Sequence, residues 1–274
     1  DMYHVEPSSS GETLPLSELK NRAQEELDGA SIYRIVTHKD PRKAWEFVVY
    51  RTNPDAYTYF GSIEEYRTAY LNPYTGEVTG LLNNEYEFFT VVMYLHWSLL
   101  LSTPIGQPIV GWSTVVFVLL LISGLILWWP RRWTQRFVDM SFKVKWRLGW
   151  RRLNYDLHNV VGFYTTLLAL VLALTGMVWS FGWFESAVYA AGAGTTDRPA
   201  PLVSTSDTTA AGSTERALNA ALVHAWDRVP EAQRVSVSPP GQGSESGVIR
   251  LSAYSGEETY YRRDELVYDR YSAE

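Results

Sequence analysis

IVGWSTVVFVLLLISGLILWWP, residues 109–130, decides the fold. It carries no acidic or basic side chain, and as a helix it is long enough to cross a hydrocarbon core of about 30 Å. It closes on Trp128 and Trp129, a pair of the kind that settles at a membrane–water boundary. Read outward, the uncharged stretch runs from residue 88 to residue 130, and a second one runs from 157 to 184. A charge at the bilayer centre costs at least about 2.5–3.5 kcal/mol. Two such gaps, in a chain of which 20% of residues are charged, therefore read as membrane segments flanked by soluble parts.

RRWTQRFVDMSFKVKWRLGWRR (131–152) separates the gaps. It holds Arg131, Arg132, Arg136, Lys143, Lys145, Arg147, Arg151 and Arg152 against one acid, Asp139. Basic residues in short loops mark the cytoplasmic side, so both polar flanks are expected outside the cytoplasm. The organisation that follows is a small α+β unit over 1–83 and an interfacial helix over 84–104 that ends at Thr103-Pro104-Ile105-Gly106. A transmembrane helix follows over 105–130, then the basic loop 131–152 and a second transmembrane helix over 153–189. A linker over 190–213 rich in Ala, Gly, Thr and Ser leads to a second α+β unit over 214–274. The fold class is thus membrane α-helical plus α+β, with transmembrane helices alternating with small α+β units.

The two soluble units read as repeats, each a helix followed by alternating strands. They end in similar words, YLNPYTGE (70–77) and YDRYSAE (268–274). In the first copy these words lead into a histidine-bearing helix and a span. The repeat predicts the same after residue 274, and thus a native protein longer than this chain.

There is no cysteine, which excludes disulfides, iron–sulfur clusters and thiolate zinc sites. No Ser/His/Asp arrangement, HExxH or phosphate-cradling glycine loop is present, and nothing suggests nucleic acid. Only five histidines occur. His4, His38 and His224 lie in soluble segments without metal-ligand spacing, whereas His96 and His158 fall at membrane level on opposite sides. Two readings of these two stand side by side. Each imidazole is hydrogen-bonded to a backbone carbonyl or to a neighbour such as Asn159 or Tyr155, or each is an axial ligand of haem. Gly162 lies one turn from His158 on the same face, where it lets a flat macrocycle approach. Arg131 and Arg132 at the membrane edge suit its propionates.

NPYTGEV (72–78), LHWSLL (95–100) with GQPIVG (106–111), SGLILWWPRR (123–132), LNYDLHNVVGFY (153–164) and LTGMVWS (174–180) together resemble the PepSY-associated transmembrane family. The form of these motifs looks most like that of members from the Bacteroidetes lineage. Members include iron-regulated membrane proteins and ferric-siderophore reductases. The resemblance implies bacterial inner-membrane helices alternating with periplasmic PepSY units, and b-type haem on helix histidines, here His96 and His158. It also implies partner ligands on further transmembrane helices or subunits. The function expected is electron transfer across the membrane to reduce a ferric chelate, with membrane ferric-siderophore reductase as the enzyme class. The alternative is a PepSY binding or scaffold protein whose histidines are structural. A chelate transporter is disfavoured by the small number of spans and by the lack of a carboxylate within the stretches 88–130 and 157–184.

Overall fold

The computed structural model describes residues 1–8, 11–129, 134–144, 146, 149–197, 205–206, 212–241, 247–256 and 261–273. In chain order the helices are α1 (Leu16–Glu26), α2 (Tyr59–Ser62), α3 (Phe88–Ser98), α4 (Thr103–Trp128), α5 (Gln135–Phe142), α6 (Trp150–Ser180), α7 (Gly182–Ala193) and α8 (Thr214–Arg228). The strands are β1 (Arg34–His38), β2 (Trp45–Thr52), β3 (Ile63–Leu71), β4 (Val78–Asn83), β5 (Arg234–Ser238), β6 (Ile249–Tyr254) and β7 (Arg263–Tyr268). Two compact units result: residues 1–93 with 200–274, and residues 94–199.

In the first unit all seven strands form one antiparallel sheet, in the order β4-β3-β2-β1-β5-β6-β7. The two sequence repeats therefore meet strand to strand. Ile35 lies opposite Val237 and Thr37 opposite Val235, and the buried Thr37 hydroxyl donates to the Val235 carbonyl. Alternation puts Ile35, Phe47, Val49, Ala69, Val235, Val237 and Leu251 on one face, where they form a single core with Leu19 and Ala23 of α1 and Leu218, Ala221 and Ala225 of α8. The helices pack on each other as well. Ser17 N donates to Asn219 Oδ1 and Asn219 Nδ2 donates to Ser17 Oγ, both at 2.9 Å.

The repeated words fold alike. Asn72 Oδ1 accepts from the backbone N–H groups of Tyr74 and Thr75, as Asp269 Oδ1 does from those of Tyr271 and Ser272. Gly76 N then donates to the Asn72 carbonyl and Ala273 N to the Asp269 carbonyl, with φ of 72° and 61°. An Asx turn followed by a left-handed residue is thus written twice.

Tyr59, fully buried, donates its hydroxyl to the Glu85 carbonyl at 2.9 Å. Desolvation, helped by the nearby Glu85, pushes its pKa up to about 12. The neutral phenol is the form the fold holds. Its contribution is therefore complete below the unfolded value of about 10 and is lost as pH rises from there to about 12. Tyr59→Phe is expected to flatten part of the alkaline fall in melting temperature between pH 9 and 12. An unchanged slope refutes this.

In the second unit α4 and α6 run antiparallel. At one end Gly111 lies against Ser180, where an added Cβ would come within 2.9 Å of the serine Cβ, and Trp112 meets Phe181 edge-on at 5.3 Å. At the other end Trp128 stacks on Phe163 at 4.0 Å, and Phe142 of α5 closes on both rings. Both helices, of 26 and 31 residues, are long and apolar enough to span a bilayer. The second apolar helix stops at Ser180 rather than near residue 189, because Phe181 is extended. α7 then starts separately and ends on the left-handed Gly194.

Candidate functional site

His96 sits near the end of α3, and its position follows from how that helix stops. Leu99 and Leu100 both adopt left-handed backbone, with φ of 57° each, a conformation costing of order 1–3 kcal/mol per non-glycine residue. The elbow is held from both sides. Ser98, fully buried, has its hydroxyl within hydrogen-bond reach of the Tyr94 and Leu101 carbonyls, and Leu100 N donates to the Tyr94 carbonyl. The Ser98 carbonyl rests on Gly106, where any Cβ would overlap it. The break expected at residues 103–106 thus lies earlier, at residues 99–101. Thr103 to Gly106 form the opening turn of α4, since Pro104 at the start of a helix gives up an N–H that needs no partner there.

The elbow sets His96 beside α4. A groove of about 340 Å³ brings His96 and Trp97 together with Val110 and Thr114 of α4 and Gly176 and Trp179 of α6. A shallower one of about 430 Å³ continues past His96 along Val110, Ser113 and Phe117. His158 lies exposed on α6, and Gly162, one turn on, has open space where a Cβ would stand, as Gly176 has. His158 and Gly176 are eighteen residues apart, about five turns and roughly 27 Å along one flank of α6. The structure therefore places the two histidines at separate levels of one helix pair, with His158 near one end of that flank and the His96 groove towards the other.

Among the described residues, neither imidazole has a hydrogen-bond or ion-pair partner. The other three histidines each have a neighbour. His4 meets Asp1 at 2.7 Å, His38 meets Glu46 at 3.4 Å, and His224 lies edge-on to Tyr268 at 5.5 Å. Tyr155, considered from sequence as a partner for His158, lies under the Arg152 guanidinium instead, 5.4 Å away. Arg131 and Arg132 lie outside the described residues. No group of three or more His, Asp or Glu side chains that could enclose a bare metal ion occurs among the described residues. Among the described residues the donor set is one imidazole per level beside free space, which fits one ligand of a flat metallocycle.

Sequence reading passed over Asp156. It is 1% exposed on α6, and its Oδ1 lies 2.9 Å from Arg152 Nε, one turn earlier. The i, i+4 spacing of Arg152 and Asp156 was the available signal.

A hairpin of long apolar helices joined to a repeated α+β sheet defines a membrane protein of mixed α+β class. The family follows from the comparison with known families: the chain belongs to the PepSY-associated TM region family, whose model matches residues 1–268. No curated protein matches it significantly.

Proposed function

We propose that the protein carries electrons across the bacterial inner membrane through haem b at His96 and His158, and that it reduces ferric chelates such as siderophores on the periplasmic side. The observation that carries this reading is the pair of imidazoles on the helices of the second unit that have no hydrogen-bond or ion-pair partner among the described residues, each beside a glycine that leaves a flank open. An unpaired polar group in an apolar setting costs free energy, and ligation of iron would offset that cost.

In this reading His96 and His158 would hold the haem groups, each through one ring nitrogen. Gly162 and Gly176 leave room for a planar ring, and Trp97 and Trp179 line the His96 groove. Further transmembrane helices or subunits would supply the remaining ligands. Haem bound at the two levels would supply one-electron chemistry. The basic loop would lie in the cytoplasm, where the charges of Arg131 and Arg132 would suit haem propionates, and the membrane helices would alternate along the chain with periplasmic α+β units. Reduction of a chelate's iron weakens its hold on hard oxygen ligands, because Fe(II) carries less charge. No protein nucleophile is required, in keeping with a sequence without a catalytic motif.

The test is a reduced-minus-oxidised visible spectrum of the full-length protein in detergent, beside His96→Ala and His158→Ala. Sharp b-type bands that lose about half their intensity with either substitution are expected. A wild-type protein without haem bands after haem-replete expression refutes the redox reading and favours a PepSY scaffold with structural histidines.

A further inference from the structure

We infer that the elbow from Ser98 to Gly106 is a positioning device for His96, with Ser98, Leu99, Leu100 and Gly106 as its positioning residues. The inference rests on the proposed role of His96 as an iron ligand. The observation behind it is a local cost without a local need. A turn between two helices is made without strain by glycine, yet two successive leucines hold left-handed backbone here, and Leu99 is 51% exposed, so packing of its side chain within the protein does not explain the choice. Strain of this kind persists only where the surroundings over-determine it, and it gathers at functional positions.

The surroundings do over-determine it. The buried Ser98 hydroxyl faces two carbonyls, Leu100 N reaches back to Tyr94, and the Ser98 carbonyl occupies the space that Gly106 leaves. Leucine in the left-handed region has a narrower energy well than glycine, so the elbow admits one geometry where a glycine elbow would admit many. His96 stands two residues before Ser98. The same contacts therefore fix the direction of its side chain against Val110 and Thr114. A ligand needs such support to hold its orientation toward a metal.

Leu99→Gly/Leu100→Gly tests this without endangering the fold, since glycine accepts the observed φ. The full-length variant is expected to keep its melting temperature or gain a little. It should keep the His158 haem band while losing or broadening the one that depends on His96. Gly106→Ala should do the same at a lower melting temperature. The chain has no cysteine, which permits a second readout that needs no haem. His96→Cys with Thr114→Cys, joined by a short bifunctional thiol reagent, should cross-link about tenfold faster with the native elbow than with the diglycine elbow. A slowed cross-link in a protein that binds no haem supports the elbow and refutes the haem reading alone. A diglycine variant that keeps the cross-linking rate, and with it any His96-dependent band, overturns the inference.

Discussion

Phe47→Ala is expected to destabilise the whole seven-stranded sheet by about 3–5 kcal/mol, the cost of deleting a fully buried phenyl ring. Phe47 is 0% exposed and belongs to the core shared by both repeats. That cost is a large share of the 5–15 kcal/mol that stabilises a typical domain. The informative part lies at a distance. β1 is paired to β5, and α1 is hydrogen-bonded to α8. Amides in β5 and β6 should therefore lose hydrogen-exchange protection together with those in β1 and β2. If β5 and β6 keep wild-type protection while β1 and β2 lose it, the repeats fold as separate bodies and the shared core contributes no cooperativity.

Arg152→Ala should destabilise the helix hairpin by about 3–5 kcal/mol, because it leaves a buried carboxylate without its guanidinium. Asp156 is 1% exposed, whereas the Arg152 side chain keeps 39% of its surface. The burden therefore falls on the acid. Arg152→Ala/Asp156→Asn removes the charge as well and should recover most of the loss. The readout is detergent-solubilised thermal unfolding followed by near-ultraviolet circular dichroism, which reports the Trp128–Phe163 stack at the same end of the hairpin. Equal melting points for the single variant and the wild type would show that the pair carries no stability.

Much of the secondary structure was legible in the residues. Alternating runs such as RVSVS became β5, with Val235 and Val237 buried. The three-residue-and-four spacing of Ala217, Leu218, Ala221, Leu222 and Ala225 became α8. The helix end before α4 was not legible. Leucine has no preference for left-handed backbone, so nothing in LHWSLLLS announces a reversal, while Pro104 and Gly106 resemble a break although they open a helix. Asp156 was passed over because its charge sits just ahead of the uncharged run, and only the packing around α6 shows it to be buried.

By itself the sequence determined what depends on composition and near neighbours. It set two apolar helices long enough for a bilayer, most of the strands, the turn at Asn72-Pro73 and Thr75-Gly76, and two histidines within the uncharged stretches. Only the tertiary structure decided that the repeats share one sheet, that α3 reverses through two strained leucines, and that Gly162 and Gly176 face open space along one flank of α6. The reason lies in range. Side-chain alternation and turn chemistry act over a few residues, whereas the β1–β5 pairing joins positions some two hundred apart. That pairing forms because each repeat alone leaves a strand edge and half a core uncovered.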